Sequence, residues 1–485
     1  MMLGYLLARA GVQVTVLEKH RDFFRDFRGD TVHPSTLELF HELGLLEDFL
    51  KLPHQELTSV GGVFGDFAFQ AANFSHVPVH CKFVALMPQW DFLDFLAGQA
   101  KRFPTFDLRM EHEAVDLIRN AEGIIGVEAR RSGDTKTEVR ADLVVGCDGR
   151  HSTIRKAAQL EVVEFGAPID VLWFRIGRKP NDPEQVLGNV NYGKALVLIN
   201  RGDYFQAGLI IQKGSFEDLK RHGLDEFRNT IGRIAPYLRD RVLDLQDWEQ
   251  IKLLTVQINR LPRWHRAGLL CIGDAAHAMS PAGGVGINLA IQDAVAAANL
   301  LVNPLRERRV TEALLARVQH RREFPTRITQ FLQVNAHKAF ARIFQNTGEV
   351  RAPWQLRVAV TIPGVQRALG RVIGMGVRPE HLHDARRTRM EKRGIVKRIA
   401  AAGIIAAAGV AAMHLVRAVR RHRLGVMARF EIHSSVQERA SPGKSWFGRI
   451  RVDDHCRSAP TLNPPTFDRI FPPQDLSVYH RQPSH

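Results

Sequence analysis

Residues 273–288 form the most informative segment of this 485-residue sequence: Gly273-Asp274-Ala275-Ala276-His277-Ala278-Met279-Ser280-Pro281-Ala282-Gly283-Gly284-Val285-Gly286-Ile287-Asn288. The segment follows an apolar run that is typical of a buried strand, and a helical pattern begins near Ile287. Asp274 is then expected at the C-terminal edge of the strand, where a carboxylate can accept hydrogen bonds from sugar hydroxyls. The glycines let backbone N–H groups approach a flat ring, and the following helix N-terminus favours an anionic ligand.

A second segment carries a related pattern. Residues 142–155 read Asp142-Leu143-Val144-Val145-Gly146-Cys147-Asp148-Gly149-Arg150-His151-Ser152-Thr153-Ile154-Arg155. The apolar part predicts a strand, Asp148-Gly149 predicts a turn, and Ser152 is a suitable N-cap for a helix beside Arg155. An ordinary strand, turn and helix would explain this segment if it stood alone. Its place upstream of residues 273–288 makes a shared ligand site the better interpretation.

The N-terminal residues predict the second half of a βαβ unit. A helix closes at Gly11, and Val12 to Leu17 predict a strand with Glu18 at its end. No strand precedes Gly4 in the sequence, so the Gly-x-Gly-x-x-Gly turn whose amides bind a pyrophosphate is not present. We therefore expect the natural start to lie upstream of Met1.

These motifs resemble those of the class A flavoprotein monooxygenases, the para-hydroxybenzoate hydroxylase type. Cys147-Asp148-Gly149 is similar to the DG motif of that family and Gly273-Asp274 to its GD motif, in the same order. The resemblance covers roughly residues 1–380. It implies an α/β fold in which a Rossmann-like FAD-binding domain carries an inserted antiparallel β-sheet substrate domain and a helical C-terminal part.

The resemblance and the local patterns together predict the domain organisation. Amphipathic helices are expected within residues 31–52 and after Pro88. The expected parts are an FAD-binding domain at 1–165 with part of the substrate layer at 55–87, a substrate domain at 166–262, completion of the FAD-binding domain at 263–345, a C-terminal helical region at 346–398, an Ala-rich hydrophobic helix at 399–424 and a disordered tail at 425–485.

The resemblance also implies contacts with FAD, residue by residue. Glu18 and the adjacent Lys19 are expected at the adenosine ribose, Arg28 near the ribityl-phosphate region, and Gln89 at the ribityl chain. Asp274 is expected at the ribityl or pyrophosphate end, and Pro281 beside the reactive edge of the flavin. The backbone groups of Gly284, Gly286 and Asn288 are expected to face the pyrimidine side of the ring. Asp148 and Gly149 are expected to shape the cofactor cleft and the access of the nicotinamide nucleotide.

Several of these residues have plainer interpretations, which stay open at this point. Glu18 could be a solvated acid at a strand end, Arg28 a surface cation, and Gln89 a helix cap. His277 is expected to be a structural hydrogen-bonding residue rather than a base, and His33 a turn residue rather than a group facing the ring.

The activity that the resemblance implies is hydroxylation of an aromatic or other electron-rich small molecule, using NADH or NADPH and O2 through a flavin C4a-hydroperoxide. No side chain is expected to act as a nucleophile, because the flavin carries the chemistry. Five aromatic residues either line the substrate pocket or form the core of the second sheet: Trp173, Phe174, Tyr192, Tyr204 and Phe205. The alternatives are a flavin-dependent reductase or dehydrogenase of isoprenoid or polyketide substrates, and a degenerate flavoprotein without activity.

The distribution of charge argues against a nucleic-acid partner. The formal net charge is +16, but residues 386–485 hold 19 Lys and Arg against 7 Asp and Glu, so the first 385 residues are nearly balanced. Four cysteines without a CxxC pair favour a reducing, cytoplasmic setting and no metal site.

A hydrophobic run in the basic C-terminal region leaves the membrane question open. Residues 399–416 are rich in alanine, glycine and isoleucine and are flanked by arginines. The run is either a membrane-associated helix or an ordinary packed or solvated one.

Overall fold

The computed structural model describes residues 1–24, 31–131, 136–183, 188–344, 348–362 and 364–383. Arg28 and the run at 399–416 lie outside these residues. The α-helices of the described residues are α1 (Met2–Arg9), α2 (Pro34–Leu43), α3 (Leu46–Leu50), α4 (Gln89–Ala100), α5 (Thr153–Ala157), α6 (Phe216–Arg221), α7 (Leu224–Ile234), α8 (Val285–Arg306), α9 (Glu312–Ile343), α10 (Trp354–Thr361) and α11 (Val365–Met375).

The strands are short and belong to several separate sheets. In chain order they are β1 (Val14–Glu18), β2 (Thr31–Val32), β3 (Gln55–Leu57), β4 (Ser59–Phe64), β5 (Phe67–Asn73), β6 (Val84–Leu86), β7 (Phe106–Met110), β8 (His112–Asn120), β9 (Gly123–Arg131), β10 (Lys136–Arg140), β11 (Val144–Gly146), β12 (Val163–Glu164), β13 (Ile169–Gly177), β14 (Gly188–Asn191), β15 (Lys194–Asn200), β16 (Tyr204–Gln212), β17 (Lys252–Thr255), β18 (Asn259–Arg260), β19 (His265–Arg266) and β20 (Leu269–Cys271).

Two pairs of parallel strands form the frame of the first layer. β1 lies parallel to β7, and β11 lies parallel to β20 with Gly146 opposite Cys271. Helices α1 and α8 cover this layer, and their apolar residues share one buried core with the strands. Parallel strands buried under helices are the α/β arrangement, so the predicted fold class is confirmed.

Helix α1 packs very closely onto the strands beneath it because Gly4 has no side chain. A Cβ atom at Gly4 would lie 2.9 Å from Val16 and 3.0 Å from Phe106. Close helix–strand packing is the role of the third glycine in the dinucleotide-binding fingerprint. Gly4 thus allows close packing of α1 on β1 and β7, as the third glycine of that fingerprint does.

The end of α1 follows the prediction at Gly11. Gly11 has a φ of +78°. Its N–H donates to the carbonyl of Ala8, and the N–H of Val12 donates to the carbonyl of Leu7. This pair of hydrogen bonds is the Schellman motif, which directs the chain straight into β1.

The second layer is a seven-stranded sheet in the order β17-β13-β16-β15-β14-β4-β5. The pairs are antiparallel except that β14 and β4 run parallel. Residues 59–73 therefore join the same sheet as residues 169–212. One face packs against α7, and the other, which we call the inner face, carries Val171, Trp173, Ala195, Val197, Gly208 and Ile210.

One local prediction needs refinement. Residues 31–52 contain two helices rather than one, because the chain turns at Gly44, which has a φ of +71°.

One described helix, at Ala282–Arg306, is long and apolar enough to span a membrane, but 56% of its most apolar 18 residues are buried inside the fold. That burial is what a core helix of a globular protein shows.

Candidate active site

Both sequence motifs end at the same edge of the first layer. Because β11 and β20 are parallel neighbours, Asp148 and Asp274 follow strands whose carboxyl ends lie side by side. The guanidinium of Arg150 lies 3.6 Å from a carboxylate oxygen of Asp274, and both side chains stay partly exposed. The structure therefore brings the two motifs together into one accessible polar edge.

The carboxylate of Asp148 stabilises the turn through two hydrogen bonds. It accepts hydrogen bonds from the Ser152 hydroxyl and from the N–H of Ile154 at 3.0 Å. Ser152 in turn caps α5 by accepting from the N–H of Arg155, as predicted. The buried Arg155 side chain donates to the carbonyl of Ala275 at 3.1 Å. This hydrogen bond links residues 142–155 to residues 273–288.

The glycine loop before α8 adopts a conformation that only glycine allows easily. Gly283 and Gly284 have φ values of +79° and +61°. A Cβ atom at Gly284 would lie 2.0 Å from Oγ1 of Thr31, whose hydroxyl donates to the carbonyl of Gly284. Helix α8 then starts at Val285 with no side-chain cap, so its first N–H groups point to a half-exposed region. An uncapped helix N-terminus of this kind attracts negative charge.

The side chain of Asn288 is fully used in holding this loop. Its carboxamide oxygen accepts from the N–H of His33 at 2.9 Å and from the Thr36 hydroxyl at 2.8 Å. Its nitrogen donates to the carbonyls of Thr31 and Gly284, each at 3.0 Å. Asn288 is 5% exposed, so any contact that it makes with a cofactor comes from its backbone.

The loop residue Ser280 is held by α9. Gln333 accepts from the N–H of Ser280 and donates to its carbonyl, at 3.1 Å and 3.0 Å. The hydroxyl of Ser280 lies 2.8 Å from Nε2 of His337 and accepts from the N–H of Ala282. These bonds fix the chain on both sides of Pro281.

A buried network of charges lies beneath the GD motif. Nε2 of His277 lies 2.6 Å from Asp293, which also accepts from the N–H of Gly273 and from Nε of Arg322 at 2.9 Å. Arg322 continues to Glu380 at 3.2 Å. His277 is thus a structural hydrogen-bonding residue, as predicted, and it faces Asp293 rather than the open edge.

The network sets the charge of Asp293. Burial raises the pKa of Asp293, but the charges and hydrogen bonds of His277 and Arg322 outweigh burial and hold that pKa below its ordinary value of 3.8. Asp293 is therefore an anion at neutral pH, although its side chain is fully buried. One sign of this role is visible in the sequence, since Asp293 is the single acidic residue within the apolar helix α8.

His33 lies at the start of α2, as the turn prediction requires. It is the N-cap residue of that helix, it is 1% exposed, and its Nδ1 lies 2.9 Å from the carbonyl of Ile373. Burial lowers the pKa of His33 to about 4, so the imidazole is neutral at pH 7.

The remaining predicted cofactor residues lie at or next to the ends of the elements that carry them. Glu18 ends β1 and accepts from the N–H of His20, while Lys19 is exposed. Met1, at the start of α1, interacts electrostatically with Glu18 and with Cys147, so the α1 N-terminus lies near the carboxyl ends of β1 and β11. Gln89 is half-buried at the start of α4, and it has no hydrogen-bond partner among the described residues.

Alternation along β13 separates the aromatic residues that were considered for a pocket. Phe174 and Phe205 are buried in the core against α7, so they do not line a pocket. Tyr192 lies in the turn between β14 and β15 and donates to Glu349, and Tyr204 lies under the guanidinium of Arg175. Trp173 alone among the five lies in the apolar clusters of the inner face, which include residues of α9 and α11.

These features fit FAD on the ring and ribityl side. The uncapped start of α8 suits the ring, the Arg150–Asp274 pair suits hydroxyls, and Glu18 at the end of β1 is an acidic residue of the kind that can accept hydrogen bonds from ribose hydroxyls.

Comparison with known families agrees with this geometry. The sequence matches the FAD binding domain family over residues 1–332, so the chain belongs to that family. It is an FAD-dependent oxidoreductase of the monooxygenase class, for which NAD(P)H, O2 and a small-molecule substrate are the other reactants.

Several relatives are similar to this chain at moderate sequence identity. The 6-methylpretetramide 4-monooxygenase of Streptomyces rimosus is 29% identical over 76% of this chain and 88% of its own length. Rifampicin monooxygenase of Streptomyces venezuelae is 27% identical over 61% of this chain and 60% of its own length. The dialkyldecalin synthase of Streptomyces rugosporus is 27% identical, with 61% of each chain covered. The chain thus spans about three fifths of the length of the last two relatives.

Solved structures show the same fold. The anhydrotetracycline hydroxylase OxyS of Streptomyces rimosus has a TM-score of 0.61 at 22% identity, covering 77% of this chain and 73% of that one. The p-nitrophenol 4-monooxygenase PnpA of Pseudomonas putida has a TM-score of 0.61 at 16% identity, covering 76% and 93%.

Proposed function

We propose that this protein hydroxylates a polycyclic aromatic small molecule, with the flavin ring bound at the glycine loop and α8. The observation that carries the proposal is the joining of the two motifs at one edge, where the Arg150–Asp274 pair lies accessible at the ends of two parallel strands. FAD, when bound, supplies the redox chemistry by accepting a hydride from NAD(P)H and activating O2.

The side chains and backbone groups of the site have three roles in this proposal. Asp274 accepts hydrogen bonds from the hydroxyls of the ribityl chain, and Gln89 supplies a second polar contact to it. Glu18 binds the adenosine ribose. The first N–H groups of α8, at Gly286 and its neighbours, stabilise negative charge on the pyrimidine side of the ring through the helix dipole.

Exclusion of water is the other task of the protein. The inner face of the seven-stranded sheet is apolar and contacts α9, which also holds Ser280 next to Pro281. We place the substrate between this face and the Pro281 loop, because oxygen transfer from a reduced flavin requires a site with little water. No side chain of the described residues is assigned as an acid, base or nucleophile.

The apolar character of this face and the names of the relatives support the substrate class. Val197 and Trp173 are apolar and only partly buried, which suits contact with fused rings. Relatives are named for 6-methylpretetramide, for rifampicin and for anhydrotetracycline. A dehydrogenase acting on polyketides stays an alternative, since it uses the same flavin site. Incorporation of one atom of labelled oxygen into the product supports hydroxylation, and turnover without oxygen supports the alternative.

The cofactor assignment is tested by substitution of Asp274. Asp274→Ala is expected to weaken FAD binding by about 10- to 100-fold, because hydrogen bonds to a charged group contribute about 1.5–3 kcal/mol. Asp142→Ala is the matched control, since Asp142 is an exposed acid that lies before β11, at the opposite end of the same sheet. FAD titration of both variants, followed by flavin fluorescence, gives the affinities. Equal affinities in the wild type and Asp274→Ala would refute the assignment.

A further inference from the structure

Two buried side-chain nitrogens, one on the inner face and one on α9, have no hydrogen-bond partner among the described residues. They are Nε1 of Trp173 and Nδ1 of His337. Buried donors are almost always satisfied, and an unsatisfied one costs about 1–3 kcal/mol. A ligand that supplies acceptors would remove this cost.

We assign the proton of the His337 ring from the hydrogen bonds of Ser280. The Ser280 hydroxyl accepts from the N–H of Ala282, and Nε2 of His337 is the acceptor that lies within reach of its own hydrogen among the described residues, so the hydroxyl is assigned as the donor to Nε2. The proton of the neutral ring is then on Nδ1. Burial lowers the pKa of His337, which keeps the ring neutral. With 1% of the residue exposed, Nδ1–H is a donor with no acceptor.

The second donor is fixed by a glycine on the neighbouring strand. Trp173 lies opposite Gly208. A Cβ atom at Gly208 would lie 2.9–3.1 Å from three carbons of the six-membered ring of Trp173. Gly208 therefore provides the space in which the indole lies flat on the sheet, and its Nε1–H is left without a partner.

Both donors belong to the same contact region. Trp173 lies in an apolar cluster with Val334 of α9. Val334 and His337 are three residues apart on that helix, so they share one face of it. His337 in turn holds Ser280, the residue before Pro281.

We propose that Trp173 and His337 are substrate-recognition residues that donate hydrogen bonds to oxygen atoms on the edge of a fused-ring substrate. The substrate class is a flat aromatic that carries carbonyl or hydroxyl oxygens, because the surrounding face is apolar and the two polar groups are both donors. This proposal rests on the proposed function, since it concerns the substrate of that site.

The test compares oxygenated probes with their hydrocarbon counterparts. The full chain is titrated, with and without FAD, with 1,8-dihydroxyanthrone and 9,10-dihydroanthracene, and with 1-naphthol and naphthalene, by isothermal calorimetry. The wild type is expected to prefer the oxygenated member of at least one pair. Trp173→Phe keeps the aromatic ring and removes only the N–H, so the oxygenated probe is expected to bind about 5- to 100-fold more weakly while the hydrocarbon is unchanged.

Two sets of controls separate recognition from packing. Trp248→Phe alters a tryptophan in the core on the opposite face of the same sheet, and it is expected to change neither affinity. His337→Gln is expected to keep the contact with Ser280 and lose the Nδ1 donor, and so to reduce the oxygen preference, whereas His337→Asn keeps a donor at the Nδ1 position and is expected to retain the preference.

Three results would overturn the proposal: no oxygen preference in the wild type for any pair, equal losses for both members of a pair in Trp173→Phe, or a loss of FAD affinity in that variant. FAD retention is measured on the same samples. Failure to bind FAD counts against the proposed function, whereas a flavin-loaded protein without oxygen preference counts against the donor pair only.

Discussion

Replacing Arg322 by methionine is expected to remove the centre of the buried charge network and lower the free energy of unfolding by about 3 kcal/mol. Arg322 is 1% exposed and donates to Asp293 at 2.9 Å, to Glu380 at 3.2 Å and to the carbonyl of Arg378 at 3.1 Å. Methionine retains the apolar stem, so the loss is that of the charge and its three hydrogen bonds.

The magnitude follows from what each carboxylate keeps. Removing one partner of a buried ion pair costs about 3–5 kcal/mol when the other is left unpaired. Asp293 retains His277 and the N–H of Gly273, and Glu380 retains the guanidinium of Arg321 at 2.8–2.9 Å. Neither carboxylate becomes fully unpaired, so the lower end of the range applies.

Guanidinium unfolding of the full chain provides the measurement, with Arg327→Met as the control. Arg327 is on the same helix, but its side chain is 62% exposed and its salt bridge with Glu323 spans one turn. Such exposed pairs contribute about 0.3–0.5 kcal/mol. A decrease below about 1 kcal/mol for Arg322→Met, or one no larger than that of the control, would refute the argument that this network stabilises the fold.

The same network predicts a dependence on acid. Because the pKa of Asp293 is lowered in the folded protein, its contribution to stability is present above the ordinary pKa of 3.8 and is lost as the pH falls through the folded value. Removing the positive charge of Arg322 raises that folded pKa. Arg322→Met is therefore expected to unfold at a higher pH than the wild type during acid titration.

Three further substitutions test the loop and its supports. Gly284→Ala combines a positive φ with a Cβ atom 2.0 Å from Thr31, so the free energy of unfolding is expected to fall by about 2–4 kcal/mol and FAD to bind more weakly. Gly286→Ala is the control and is expected to be tolerated, because the nearest neighbour of its Cβ atom would lie at 3.8 Å. Equal effects of the two substitutions in denaturant and flavin titrations would contradict this. Burial lowers the pKa of His33 to about 4, so the unfolded wild type takes up a proton between pH 6.5 and about 4 and the free energy of unfolding falls by up to about 3 kcal/mol. His33→Gln is expected to make the free energy of unfolding less dependent on pH in this range. An unchanged slope of unfolding free energy against pH would be inconsistent with that cause. Asp148→Ala is expected to cost about 1–2 kcal/mol by thermal unfolding, since it removes a capping acceptor at the start of α5; an unchanged midpoint would mean that water replaces the carboxylate.

The sequence predicted the elements whose causes are local. Gly11 ends a helix because its left-handed conformation satisfies the last carbonyls, and Ser152 caps a helix through the next residues of the same chain. The neighbouring positions of Asp148 and Asp274 were also foreseeable, because both follow buried apolar strands of an α/β pattern and carboxyl ends of parallel strands share one edge.

Other features depend on partners that lie far away in the chain. The alternation in β13 predicts that Trp173 and Phe174 face opposite ways, but which of them faces α7 depends on the packing of the whole sheet. The partners of Asp293 likewise come from residues 322 and 277, on different elements. A lone aspartate in an apolar helix indicates that a buried partner exists, and only the tertiary structure identifies it.

Hydrogen-bond saturation divides the polar residues of the site by function. Asn288 uses both its oxygen and its nitrogen within the protein, as Asp293 uses its oxygens, so these residues set the position of the loop. Asp274 is 31% exposed beside Arg150, and Gln89 is half-buried at the start of α4, so both side chains stay accessible to a ligand. Substitution of the first group must change stability and flavin affinity together, because loop position and folding share the same bonds. Substitution of the second group must change affinity with little effect on unfolding, and this difference separates positioning from contact without knowledge of the substrate.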